Sequence, residues 1–204
     1  MKPDPTEPPA SAEAVAEASG WGERLAGEWL KAYRRGRLGE ALPRILAECR
    51  EEALRLWAAG DLRGAAARLW GAALAAAGLA LGEPVWSRAS AEGALARAPD
   101  PPRRLLRELL DLAHVIRALA EEGSYSPELM LERWTEAHAL LERALAVSPA
   151  GGSRAAGQTA SLSGGRFTLL RAAARRMAAA AAARARVRLR RESASPRGPP
   201  TRDR

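Results

Sequence analysis

The chain holds two histidines, and each follows an arginine on the same predicted helix. Arg133 precedes His138 with four residues between them, and Arg107 precedes His114 with six. An arginine and a histidine at one phosphodiester can work without a metal. The imidazole moves the 2′-hydroxyl proton or protonates the leaving oxygen, and the guanidinium stabilises the crowded phosphate charge. Helix geometry constrains both pairs. Side chains five residues apart point about 140° away from each other. Arg133 and His138 therefore cooperate only across a dimer interface or through a distorted turn. Residues seven apart lie about 20° from alignment and about 10 Å apart along the axis, so Arg107 and His114 share a face without touching.

Other chemistries lack their residues. Cys49 is the only cysteine, which leaves no intrachain disulfide and no cysteine-based metal cluster. Two histidines on separate helices, with scattered carboxylates, match no metal-ligand spacing, and no cofactor is expected. Gly151-Gly152-Ser153 lies in a linker without the lysine a phosphate-binding loop needs.

Charge is segregated. Residues 1–161 carry 20 basic and 22 acidic side chains, a net of −2. Residues 162–204 carry 12 arginines against Glu192 and Asp203, a net of +10. Arg184, Arg186, Arg188, Arg190 and Arg191 sit on an alanine-rich helix that can track phosphates, with binding that falls steeply as salt rises. The same segment can instead touch an anionic membrane surface. It also reads as a solvated extension of a composition with 30 Arg and 2 Lys. Residues 168–204 contain no aromatic side chain to stack on bases, which argues against sequence-specific RNA reading.

The elements that must position these residues are helices. Four prolines among the first nine residues mark a disordered leader over 1–19. Trp21 to Tyr33 reads as a first helix. Leu42, Ile45, Leu46, Cys49, Ala53, Leu56 and Trp57 line one side of the next, with Pro43 expected in its first turn or at its true start. Gly60 stops that helix and Asp61 caps the following one, whose inner face carries Leu62, Ala65, Ala66, Leu69, Ala73, Ala76 and Ala80. Small residues at that density suit close helix contact. Gly82-Glu83-Pro84 breaks it, and residues 86–98 form a short helix. Asp100-Pro101-Pro102 signals an N-cap and a first-turn proline for a helix reaching Glu122. Ser126-Pro127-Glu128 opens another, with its seam at Met130, Trp134, Ala137, Leu141 and Leu145. Residues 149–165 form a Gly/Ser/Ala linker, and 166–204 a basic helix and tail. Alternating patterns and β-branched runs are absent. The fold class is therefore all-α, an up-and-down bundle of four or five helices over residues 20–148.

The break at Gly60-Asp61 followed by Leu69-Trp70-Gly71-Ala72-Ala73 resembles the archaeal PaREP paralogous family. Members show an acidic-apolar helix, a Gly-Asp break and a helix carrying a Leu-Trp-Gly-Ala-Ala run. The Ser126-Pro127-Glu128 start looks like that family's last core helix, and the likeness covers residues 25–147. The family is similar to HEPN-like helical bundles. That resemblance implies a four-helix core that often dimerises and, in many relatives, acts on or binds RNA or nucleotides. Ribonuclease relatives use an Arg-x(4–6)-His motif, which both pairs here satisfy, and a nucleotidyltransferase-type protein is the partner such toxins imply.

No stretch reaches the ~18 consecutive apolar residues of a membrane span, and the N-terminus lacks the apolar core of a signal peptide. A cytoplasmic protein is expected. The leading functional expectation is a non-catalytic interaction module that self-associates as a dimer. The alternatives are a toxin-type ribonuclease and nucleic-acid binding, as RNA, through the basic tail.

Overall fold

A computed structural model describes residues 8–123 and 125–146. The described residues form seven helices and no strand: α1 Ala12–Ser19, α2 Glu23–Arg34, α3 Leu38–Ala59, α4 Leu62–Leu81, α5 Arg88–Arg97, α6 Pro102–Glu122 and α7 Pro127–Ala146. The all-α class holds. The linker expected over 149–165 and the basic helix and tail over 166–204 lie outside the described residues.

The hairpin of α3 and α4 forms as its residues dictate. Gly60 ends α3 at φ +83°, a conformation glycine adopts without a Cβ penalty. Its N–H donates to the Trp57 carbonyl at 3.0 Å, and Asp61 N–H donates to Leu56 at 3.0 Å. Asp61 then caps α4 by accepting from Gly64 N–H at 2.9 Å.

Every residue of α4 from Leu69 to Gly78 is buried, so this helix has no solvent face over that stretch. It packs against α1, α3, α5, α6 and α7. A single inner face is too narrow a description; α4 is the axis of the bundle. Alanine and glycine make this arrangement feasible, because small side chains let several neighbours approach one helix at once. The same feature gives α4 the length and apolarity of a membrane-crossing helix. Here its apolar surface is taken up by the neighbouring helices.

The bulk that α4 lacks comes from tryptophans on the surrounding helices. Trp57 of α3 stacks on Trp134 of α7 with ring centroids 4.2 Å apart. Trp29 of α2 stacks on Tyr33 at 5.5 Å. Burying an aromatic or leucine side chain of this kind contributes roughly 1.5–3 kcal/mol.

Three sequence expectations need correction. The leader is not disordered through residue 19, because 12–19 form α1, with Ser11 accepting from Ala14 N–H and Val15 fully buried. Proline counting overlooked the Ala-Glu alternation after Pro9, which favours a helix once Val15 has a core to enter. Pro43 lies inside α3, past its first turn. The carbonyl it leaves without a donor belongs to Gly39, which is exposed to water. Asp100 is not the N-cap of α6: Pro101 takes that position, and the Asp100 carboxylate instead pairs with Arg103 at 3.0 Å.

Candidate functional site

The turn between α1 and α2 is tied to α4, and this tie builds one wall of a surface groove. Trp70 donates its indole N–H to the Ala18 carbonyl at 3.1 Å. Trp21 donates to the Gly71 carbonyl at 2.9 Å, and Arg68 donates to the Gly20 carbonyl at 3.1 Å. Trp70 is thereby fixed with its ring as the floor between α1, α5 and α6.

Two clefts meet over that floor. The first, of about 290 Å³, is lined by Arg88, Ala91, Glu92 and Leu95 of α5 and by Arg107, Leu110 and Asp111 of α6. The second, of about 460 Å³, lies between Glu17 and the neighbouring alanines of α1 and His114, Arg117 and Glu121 of α6. Trp70 and Arg88 line both. Arg88 is a strut between them, donating to Glu92 at 2.9 Å on its own helix and to Asp111 at 3.2 Å across the groove.

The structure places the alternative pair on this groove, Arg107 in one cleft and His114 in the other. The His114 ring lies 5.8 Å from that of Trp70. His114 and Arg107 are exposed, and neither is brought to a common point. Arg133 and His138 are turned to different surroundings. Arg133 pairs with Glu136 at 3.0 Å, whereas the half-buried His138 packs its ring 5.1 Å from Trp134. Arg184, Arg186, Arg188, Arg190 and Arg191 lie outside the described residues.

Charge in the groove is mixed. Arg117 pairs with Glu121 at 2.9 Å, and Arg88 already has two carboxylates. Small anions and phosphate chains therefore meet more carboxylates than guanidinium groups: Glu17, Glu92, Asp111 and Glu121 against Arg88, Arg107 and Arg117. Among the described residues no three of His, Cys, Asp and Glu are grouped to hold a metal ion. Cys49 offers no nucleophile either, because burial in the core pushes its thiol up to about 12.

Arg88, Arg117 and Trp70 were missed as groove residues. A signal for part of them was present: Arg107, Asp111, His114, Arg117 and Glu121 recur at three- and four-residue steps along one helix. Trp70 was visible only within the Leu69-Trp70-Gly71 run, since its position depends on α1, which proline content concealed. No family model, no curated protein and no solved structure matches this chain.

Proposed function

We propose that this chain is a cytoplasmic, HEPN-like helical interaction module, akin to the archaeal PaREP proteins, that binds protein partners and catalyses no reaction. One observation carries the reading: neither Arg/His pair converges within a single chain. General acid–base work with charge stabilisation needs both groups at the same phosphate. Arg133 is engaged by Glu136 while His138 packs on Trp134. Arg107 and His114 line different clefts, with the Arg88–Asp111 bridge between them. The groove itself has apolar walls and a rim of both charge signs, a composition suited to another protein surface.

Total RNA incubated with the purified chain, beside His138→Ala and His114→Ala variants, tests this. The expected result is no cleavage above buffer by any of the three. Cleavage by the unmodified chain that is lost in either variant would overturn the proposal.

The ribonuclease alternative draws on one feature, the exposed His114 beside Arg117 and Arg88 in the larger cleft. A nucleotidyltransferase-type partner belongs to that alternative. Nucleic-acid binding through Arg184–Arg191 is separable: removing residues 166–204 should abolish salt-sensitive RNA binding, and unchanged affinity excludes it.

A further inference from the structure

We infer that the outer groove between α6 and α7 is a docking surface for this chain's own C-terminal segment, residues 166–177. The two helices pack as a hairpin, α6 ending at Glu122 and α7 beginning at Pro127. Each has one flank already taken. On α6, the clefts against α1 and α5 occupy the flank that carries Arg107, His114 and Arg117. Val115 lies on the other side of that helix, with Glu108 and Glu122 seven residues away in either direction and about 20° from alignment with it. On α7, the flank of Trp134 and Glu142 is held by α3, through the Trp57 stack and the Arg50 ion pair. Leu129 lies beyond the buried Ala137 and Ala144, on the flank away from α3.

Val115 and Leu129 are the only exposed large hydrophobics among the described residues, at 46 % and 38 %, and both border this one groove. Leu112 and Leu119, half-buried, continue its apolar floor. Glu108, Glu122 and Glu132 on the rim have no ion pair among the described residues. The cations nearby are Arg133, paired with Glu136, Arg104, facing Asp100 at 3.8 Å, and Arg143 near the exit of α7.

Charge and reach single out the occupant. Residues 1–161 have a net charge of −2 and residues 162–204 a net charge of +10, so spare carboxylates and spare guanidinium groups belong to one chain. Phe167, Leu170, Ala174 and Met177 recur at three- and four-residue steps, an apolar stripe suited to a groove, with Arg166, Arg171 and Arg175 flanking it. Residues 147–165 join α7 to that stripe, and nineteen residues of such composition have a root-mean-square span of about 24 Å. The path back along α7 from Ala146 to Leu129 is about 25 Å. A contact within that reach has an effective concentration on the order of millimolar, so weak complementarity suffices. Nucleic acid and anionic lipid would meet three unpaired carboxylates here. The inference is independent of catalysis: RNA cleavage would overturn the reading above and leave this one standing.

Brief trypsin digestion of the native full chain at low salt, followed by mass spectrometry, reads the contact. Cleavage after Arg171, Arg175 and Arg176 should be about tenfold slower than after Arg197, by an amount that dilution does not change, because proteolysis tracks the fraction of undocked segment. Val115→Ser with Leu129→Ser should remove most of that difference, and both positions are exposed enough to leave the melting temperature unchanged. Phe167→Ser, on the other partner, should do the same. Combining all three should add nothing further, since the contact is already lost. Glu108→Gln with Glu122→Gln, or added salt, should narrow the difference. Equal cleavage at Arg171 and Arg197 in the unmodified chain overturns the inference. So does protection that survives V115S/L129S in a folded chain, which places the segment elsewhere, or protection lost on dilution, which makes the occupant a second copy.

Discussion

The indole nitrogen of Trp21 donates to the Gly71 carbonyl oxygen at 2.9 Å, fixing the α1–α2 turn against the most buried part of α4. The contact is steric as well as polar. A Cβ at position 71 would lie 2.6 Å from Trp21 Cδ1. Gly20, on the other side of the turn, has φ +70° and would place a Cβ 2.4 Å from the Ala67 carbonyl oxygen. The Trp-Gly sequence at 70–71 is therefore a docking site: Trp70 reaches out to α1, and Gly71 makes room for Trp21.

Gly71→Ala should destabilise the fold by about 1–3 kcal/mol through overpacking against a buried indole. Gly27→Ala is the matched control, since its Cβ would meet only Ala12 Cβ at an ordinary 3.8 Å. On a helix interior that change should stabilise by about 0.5–1 kcal/mol. Urea denaturation of both variants checks the opposite signs.

The stacked Trp57–Trp134 pair is buried, and neither indole N–H has a hydrogen-bond partner among the described residues. Trp134→Ala should cost about 3–5 kcal/mol in lost packing. Trp134→Phe should cost clearly less, because it keeps most of the ring and removes an unsatisfied buried donor. Equal losses in the two variants, read by thermal unfolding, would contradict this account of the stack.

Cys49 is held neutral by burial, which raises its folded value to about 12 from an ordinary 9.0. Its contribution to stability is complete below the unfolded value and is lost as pH rises towards the folded one. Unfolding free energy should therefore fall between about pH 9 and 12. Cys49→Ala should flatten that part of the profile. A thiol reagent at pH 8 should leave the native chain unlabelled and label it once unfolded.

On the surface, Glu48 bridges helices by accepting from Arg24 and from Arg44, the latter at 3.0 Å. The Arg24 hydrogen bond holds its carboxyl below the ordinary range, against burial, with Arg44 adding in the same direction. A lowered folded value stabilises above the unfolded value of about 4.3 and is lost as pH falls through the folded one. Glu48→Gln should melt below the unmodified chain at pH 7 by an amount that added salt reduces. The difference should shrink as pH falls below the ordinary carboxylate range.

The sequence was most legible where local chemistry decides. Gly60 and Asp61 give the α3–α4 turn because a left-handed cap and an aspartate N-cap act within four residues of themselves. The seam of α7 followed from spacing, since Met130, Trp134, Ala137 and Leu141 proved buried and Leu145 partly buried. α1 was hidden because its stability comes from contacts made far along the chain: Trp70 to Ala18 spans 52 residues. The groove was hidden with it. Arg107 and His114 were visible as a pair, but the strut between them is Arg88, contributed by a helix whose packing no spacing rule supplies.

Incubation of the purified full chain with total RNA, beside His114→Ala and His138→Ala variants, tests the central claim most directly. The account predicts no cleavage above buffer by any of the three. Cleavage by the unmodified chain that either substitution removes would contradict it.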